Sequence, residues 1–363
     1  MNIAIDITPI GKNSASGHKV RGVGFYIQRL QNALLKYSPE NEYIFIDNIK
    51  KSLQNSSLQP PASNIDVLHI PYFDPFFLHL PRKKRFPTVL TIHDLTPLVF
   101  PQHFPAGIKG NIKWHIQKMM AKKCDAFITD SNASKFDVIR LLGIPEKKVH
   151  SVYLAADEVF VKKEMLIKTR EAFLTKYGIP PQFVLYVGDV TWNKNVPRIV
   201  KAAIKAKVPL VMAGKALLEQ DYDNKNSWNA DLNEVNELLQ ESHKVFRLGF
   251  VPTEDLVLLY NLATCLLMPS LYEGFGLPIL EAMQCGCPVI TTRCGSLQEV
   301  AGDACIYVEP EDEDHIASAI RNVIENKSLQ KELSYKGFKQ AEKFTWKKTA
   351  EQTVKVYHEL QFA

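Results

Sequence analysis

Two carboxylates, Glu273 and Glu281, with seven residues between them, enclose a GFG turn and the start of an apolar helical pattern in EGFGLPILEAMQCGCPVITT (273–292). A bare glycine turn running straight into a helix N-terminus offers backbone N–H groups and the positive end of a helix dipole, a combination that favours anions and hydroxyl-rich ligands. Each carboxylate can accept hydrogen bonds from the hydroxyls of a sugar or a ribose. A buried strand-turn-helix crossing would account for the glycines, but it has no use for two acids beside the turn. Upstream, LYVGDVTWNKN (185–195) sets Gly188 just after a strand and Lys194 in the loop that follows. The glycine permits close backbone approach, and a lysine there meets a diphosphate as a point charge; an ordinary surface lysine is the alternative. His93 and Asp94 close VLTIHD at the carboxyl end of a strand, so His93 is either a satisfied structural residue or a group presented to a ligand. Gly22 and Gly24, in the loop VRGVG before the first helix, allow backbone approach to a phosphate or an acceptor, or simply relax the loop.

The elements that carry these residues alternate between strand and helix. MNIAIDITPIG reads as a first buried strand broken at Pro9 and Gly11, followed by strands in EYIFIDN (42–48), IDVLHIP (65–71), FPTVLTIHD (86–94) and DAFITDS (125–131). A lysine-rich helical stretch from Phe160 to Tyr177 leads to GIPPQ (178–182) and reads as a linker helix and hinge. A second alternation runs through FVLYVGD (183–189), PLVMAG (209–214), KVFRLGF (244–250), TCLLMPS (264–270), PVITT (288–292) and CIYV (305–308). Strands that are continuous apolar runs imply parallel sheets covered on both faces, hence an α/β, doubly wound class. Ligands of such sheets bind beyond the carboxyl ends of strands, at switch points, and each motif above falls at a strand end. The acidic run Glu309–Asp314 reads as a loop entering a helix, and Trp346–Leu360 is amphipathic at helical spacing.

The run Val245–Pro310, with LGFVPTEDLVLLYNLATCLLMPSLYEGFGLPILEAM followed by GDACIYVEP, resembles the C-terminal half of the family-four retaining glycosyltransferases of GT-B fold. GVGFYIQRL (22–30), TIHDLTPLVFP (91–101), ITDSNASKFDVI (128–139), LYVGDVTWNKN (185–195) and FTWKKTAEQTVKVY (344–357) resemble that family's landmarks in its usual order, so the likeness covers nearly the whole chain. It implies two Rossmann-like, doubly wound parallel-sheet domains facing a cleft. These would be an acceptor-side domain over 1–165, a hinge over 166–180, a nucleotide-sugar domain over 181–345, and a C-terminal helix over 346–363 that packs back on the first domain.

The resemblance also implies roles. Glu273 would take hydroxyls of the transferred sugar and Glu281 those of the ribose, while the N–H groups of Phe275, Gly276 and Leu277 face the sugar. Lys194 would bind the diphosphate, beside Gly188. Phe250 and Val251 would hold the base, and His93 would point at the donor sugar. The family often has an arginine directly after this glycine or before this lysine; here Asp189 and Asn193 stand there, leaving the diphosphate clamp fewer positive charges. The implied reaction retains anomeric configuration by attack on the face the phosphate leaves, with the phosphate oxygen taking the acceptor proton. No metal and no cofactor are expected. The substrate would be a nucleoside-diphosphate sugar, GDP-mannose or a UDP-sugar, and the acceptor a saccharide or lipid-linked saccharide. The likeness leans toward bacterial mannosyltransferases of surface polysaccharide assembly.

Composition bounds the rest. At 363 residues the chain exceeds one ordinary core and suits two domains. No stretch approaches the roughly 18 apolar residues of a membrane span, and the N-terminus lacks a signal core; a cytoplasmic protein is expected. Six cysteines without metal or redox spacing read as reduced core residues. Residues 1–180 hold 25 Lys and Arg against 15 Asp and Glu, whereas the remainder holds 19 against 24. The basic character therefore belongs to the first half, in Arg82–Arg85 and in Lys113, Lys118, Lys122 and Lys123 beside Trp114, Ile116, Met119 and Met120. Such a face suits peripheral contact with anionic lipid at the inner face of the cell membrane, or an anionic acceptor; a solvated helix face over the core is the alternative. No nucleic-acid partner is expected. Rival readings are a GT-B sugar-nucleotide epimerase and a non-catalytic carbohydrate-binding scaffold. The first would convert donor without acceptor, and the second would have lost a glutamate or the lysine. A dinucleotide oxidoreductase is disfavoured because ITPIGKNSASG lacks G-x-G-x-x-G spacing.

Overall fold

The computed structural model describes residues 1–11, 22–47, 64–219, 221–240 and 244–361; most of ITPIGKNSASG, with Val20 and Arg21 of VRGVG, lies outside them. The chain divides into two compact units. Met1–Pro101, Ala106–Leu154 and Phe344–Ala363 form the first, and Gln102–Pro105 with Ala155–Lys343 the second.

In the first unit, β1 (Asn2–Asp6), β2 (Glu42–Ile46), β3 (Val67–Ile70), β4 (Thr88–Thr91), β5 (Ala126–Thr129) and β6 (Val149–Ser151) form a six-stranded sheet in the order β2-β1-β3-β4-β5-β6. Every pairing is parallel, and the register sets Leu90 beside both Ile70 and Phe127. VLHI, TVLT and AFIT are buried at every position, as strands covered on both faces must be. The sequence reading did not register β6, because VHS is short and half polar. Leu68, Ile70, Leu90, Ile92, Phe127 and Val149 centre one core cluster. The helix Trp346–Gln361 packs against the helix Gly22–Tyr37 and buries Ala350, Val354, Val356 and Tyr357. Valine-sized and larger apolar side chains each contribute about 1.5–3 kcal/mol when fully removed from water, enough to hold the tail on this unit.

In the second unit, β7 (Val184–Val187), β8 (Leu210–Ala213), β9 (Val245–Gly249), β10 (Leu266–Met268), β11 (Val289–Thr291) and β12 (Ile306–Tyr307) form a sheet in the order β12-β11-β10-β7-β8-β9, again all parallel. The helices Val196–Ala206 and Glu313–Glu325 pack on each other, burying Ile199, Val200, Ile316 and Ile320 in one core cluster with Tyr186, Met212, Leu267 and Ile290.

The boundaries differ from the sequence expectation of a hinge over 166–180. The stretch forms the helix Ile167–Tyr177 inside the second unit, with Phe173 and Leu174 buried. Lys176 Nζ and Tyr177 Oη each lie 2.6 Å from Asp255 Oδ2. Its two apolar side chains and this anchor fold it into the second unit, so that, apart from the short excursion of Gln102–Pro105, the chain crosses between units at 154/155 and again at 343/344. Strand order reverses between β1 and β3 in the first sheet and between β7 and β10 in the second. Those reversals are where the loops open a crevice.

Candidate active site

At the β7/β10 reversal two loops are stitched together by amides. The loop after β7 makes a short turn, Trp192–Lys194, and Asn195 follows it in the left-handed conformation at φ 59°. Asn193 Nδ2 donates to the Tyr272 carbonyl at 3.0 Å, and the Asn193 carbonyl accepts from Leu271 N at 2.8 Å. Asn195 Nδ2 donates to the carbonyls of Pro269 and Pro310 at 2.9 and 2.6 Å. This lashing brings together two residues singled out from sequence. Lys194 Nζ lies 2.7 Å from Oε1 and 2.8 Å from Oε2 of Glu273, and Ser270 Oγ donates to the same Oε1 at 2.8 Å. The Lys194 side chain is 24% exposed and that of Glu273 8%, so an incoming ligand would meet a cation and a carboxylate that are already oriented and in part desolvated. Asn193 thus has a structural task where the family often has arginine, and Asp189 offers its backbone carbonyl to Tyr186 Oη at 2.6 Å.

The turn after Glu273 is fixed from behind. Gly295, at φ 57°, passes so close that an added Cβ would lie 2.6 Å from the Glu273 carbonyl oxygen. Ser296 Oγ sits 3.0 and 2.8 Å from the carbonyl oxygens of Glu273 and Phe275. Phe275 is buried, and Gly276 at φ 100° precedes the helix Leu277–Gln284, which has Pro278 in its first turn. Proline there is preorganised for the helix and lacks an N–H that would go unused. The positive end of the helix therefore starts at the glycine turn, directly after the carboxylate.

Glu281 lies one turn into that helix and has a different partner: Tyr260 Oη donates to its Oε2 at 2.8 Å. Burial pushes the Glu281 carboxyl up to about 7, with the Tyr260 hydrogen bond acting in the opposite direction. Tyr260 is itself fully buried, edge-on to Phe160 at 5.8 Å between ring centroids. Glu281 does not share the hydrogen bonds of Glu273 and Lys194. Gly188 directly follows β7, its N–H bonded to the Ala213 carbonyl at 2.9 Å. Phe250 and Val251 directly follow β9, the edge strand separated from β10 by β7 and β8; Phe250 is 60% exposed and Val251 9%.

In the first unit His93 follows β4 and Asp130 follows β5, and His93 Nδ1 lies 2.7 Å from Asp130 Oδ2. Tyr26 stands edge-on to the imidazole at 4.6 Å. On the neighbouring strand β3, His69 is hydrogen-bonded at both nitrogens, to Thr91 Oγ1 at 2.7 Å and Tyr357 Oη at 2.6 Å; burial lowers its pKa to about 3, so it is neutral. Gly22 and Gly24 are not in a loop as the sequence suggested. The helix already begins at Gly22 and takes both into its first turn, Gly22 exposed and Gly24 buried; at a helix start glycine costs little.

The expected basic face is smaller than its lysine count. Lys118 turns to the Leu141 carbonyl at 2.6 Å, and Lys84 pairs with Asp125. Yet the helix Gly107–Ala121 exposes Ile108, Ile112 and Met119 beside exposed Lys109 and Lys113. Among the described residues no helix is long and apolar enough to cross a membrane, and no cluster of His, Cys, Asp or Glu is gathered to hold a metal ion. Asp130, Tyr260, Ser270, Asn195 and Ser296 were not singled out from sequence. Their only signal was a polar residue following a strand or an apolar helix run, which many loop residues share.

Comparison with known proteins agrees with this architecture. The family model for "Glycosyl transferases group 1" matches residues 169–340, and that for "Glycosyltransferase Family 4" matches residues 11–159. The O-antigen chain mannosyltransferase B of Escherichia coli is 30% identical over 299 residues, covering 79% of this chain and 73% of that protein. The serotype-specific mannosyltransferase WbdA of Escherichia coli is 28% identical over 275 residues, 72% of this chain but 32% of its own length, so this chain matches about a third of that larger protein. Among solved structures, Anabaena Alr3699/HepE in complex with UDP and glucose superposes with a TM-score of 0.71 at 18% identity, covering 99% of this chain and 100% of that one. The two six-stranded doubly wound units are those of a GT-B fold, and the chain belongs to the group 1, family 4 glycosyltransferases, with bacterial O-antigen mannosyltransferases among its relatives.

Proposed function

We propose that this glycosyltransferase moves a hexose, with retention of anomeric configuration and without a metal, from a nucleoside-diphosphate sugar to a saccharide or lipid-linked saccharide in surface polysaccharide assembly. The observation that carries this reading is the Lys194–Glu273–Ser270 cluster at the β7/β10 strand ends, capped by a helix start. Glycosyl transfer breaks the bond between C1 and the diphosphate oxygen, whose electron pair stays on the phosphate. Lys194 and the amide-lined start of the helix stabilise that growing charge, commonly the largest contribution to such catalysis. Glu273 accepts hydroxyls of the departing sugar. Glu281 takes the ribose, Phe250 and Val251 the base, Gly188 lets the backbone approach the diphosphate, and His93 acts on the transferred sugar. The acceptor oxygen then bonds to C1, and its proton passes to the phosphate oxygen.

The mannosyltransferase relatives favour GDP-mannose as donor; HepE, solved with UDP and glucose, keeps a UDP-sugar as the second reading. Exposed Ile108, Ile112 and Met119 beside Lys109 and Lys113 support peripheral contact with an anionic membrane, where a lipid-linked acceptor would lie. The test is to incubate the full chain with GDP-mannose or UDP-glucose and a mannose-containing oligosaccharide, with excess EDTA, and to read the product by NMR. An α-linked hexose formed from the α-linked donor supports the reading. A β-linked product would overturn retention, and restoration by divalent metal after loss in EDTA would overturn metal independence. Conversion of donor without acceptor would favour an epimerase.

A further inference from the structure

Among the buried side-chain atoms of the first unit that make no hydrogen bond to the described residues are His93 Nε2 and Asp130 Oδ1. They belong to the two side chains that meet through Nδ1 and Oδ2 at 2.7 Å. An unpaired buried polar atom costs about 1–3 kcal/mol, so two of them on one contact are a sign of a site shaped for something other than stability.

The pair is also held rigidly. β4 and β5 are adjacent parallel strands, and Ile92 N donates to the Ile128 carbonyl at 2.9 Å just before the two side chains emerge. Ser131 caps the helix Asn132–Asp137 by accepting from Ser134 N at 3.0 Å, and Ser134 Oγ reaches back to the His93 carbonyl at 2.8 Å. Tyr26 closes one side of the ring edge-on. Asp130 is 3% exposed, while the His93 side chain keeps 18%, through ring atoms other than the buried Nε2, so the imidazole edge and not the carboxylate is the member nearer the surface.

We propose that Asp130 is the positioning residue of His93: its Oδ2 accepts the Nδ1–H, fixes the ring plane, and leaves Nε2 as the nitrogen offered to the reacting sugar diphosphate. This rests on the assignment of His93 above. The carboxylate also favours the charged ring, although burial raises the pKa of Asp130 itself against the pull of His93. Burial alone would disfavour the imidazolium, but Asp130, with support from Asp94, outweighs it and raises the pKa of His93. The other titratable groups facing the ring are neutral: Tyr26 is pushed up by burial, and His69 is held down to about 3. The raised pKa favours the doubly protonated ring, in which Nε2 donates a hydrogen bond to oxygen that gains charge as the bond from C1 breaks. It does not give the proton up, since the acceptor supplies the one the phosphate takes.

The test uses the full chain with Asp130→Asn, labelled at histidine nitrogens for NMR titration, and steady-state kinetics with GDP-mannose across about pH 5.5–9. The proposal expects the His93 titration midpoint to fall by about one pH unit or more, because an amide no longer holds the ring proton. It expects kcat to fall by about 100-fold near pH 7.5, with KM within about threefold and activity recovering toward low pH. Asp130→Glu restores part of both, whereas a merely structural loss would lower activity evenly across pH. An unmoved midpoint, or wild-type kcat in Asp130→Asn, overturns the proposal; the titration needs no donor and decides the matter even if GDP-mannose is not turned over. Wild-type turnover by His93→Gln would instead remove the assignment of His93 itself, a separate failure.

Discussion

The Lys194–Glu273 contact can be taken apart so that its ionic role and its ligand role give opposite answers. Removing one member of a fully buried ion pair costs about 3–5 kcal/mol, because the other charge is left unpaired. Here Lys194 keeps 24% of its side chain exposed and Glu273 8%, so solvent recovers part of that loss. Lys194→Met or Glu273→Gln should then each cost about 1–3 kcal/mol. For a domain of 150–250 residues that is a drop of about 2–12 °C in the thermal midpoint of the second unit. The double variant leaves no unpaired charge, and the amide that replaces the Glu273 carboxylate would still accept from Ser270, so its midpoint should return to within about 1 kcal/mol of wild type. Turnover should not return. Each single change should lower kcat/KM at least about 100-fold, or about 2.7 kcal/mol of transition-state stabilisation, and the double variant should lose no less. Differential scanning calorimetry and nucleoside diphosphate release, on the same preparations, measure both. Activity recovering together with stability in the double variant, or turnover within about threefold of wild type in either single one, would show that the pair is only a staple.

Three further outcomes follow from the geometry. Gly295→Ala forces a left-handed alanine, about 1–2 kcal/mol, and drives a Cβ against the Glu273 carbonyl; a lower melting midpoint with at least about tenfold lower kcat/KM is expected, and normal kinetics would contradict the tight approach. Glu281, whose carboxyl is raised from 4.5 to about 7 by burial, stabilises the fold when protonated, and that contribution fades as pH rises through about 7. Glu281→Gln should therefore melt higher than wild type at pH 8, with the gap closing toward pH 5, while binding donor more weakly; a gap that widens on acidification would reverse the sign of this argument. Ile108→Asp with Ile112→Asp should lower co-sedimentation with phosphatidylglycerol vesicles by about tenfold or more, and wild-type protein that stays in the supernatant at low salt would end the membrane reading.

The alternation of apolar runs made all but one strand legible, because parallel strands buried on both faces leave little choice but Val, Leu, Ile and Phe. β6 escaped through its histidine and serine. The stretch expected as a linker groups with the second unit for a physical reason: a lysine-rich helix looks detachable, but Phe173 and Leu174 are enough to seat it there. In the site, Lys194 and Glu273 could be named separately from their strand-end positions, but their direct contact depends on Asn193 and Asn195 tying two loops that are 79 and 74 residues apart in sequence. Asp130 shows the same limit, since an aspartate after a strand says nothing until the neighbouring strand brings His93 to it.

The most direct test of the account is the thermal shift of the second unit on adding GDP-mannose or UDP-glucose to wild type, Lys194→Met and Glu273→Gln. At about 100 times Kd a true donor stabilises the folded chain by about 2.7 kcal/mol, or about 5–10 °C for a domain of this size. The account predicts that shift for wild type with one of the two donors and its loss in both variants. No shift in wild type with either donor, or equal shifts in all three proteins, would contradict it.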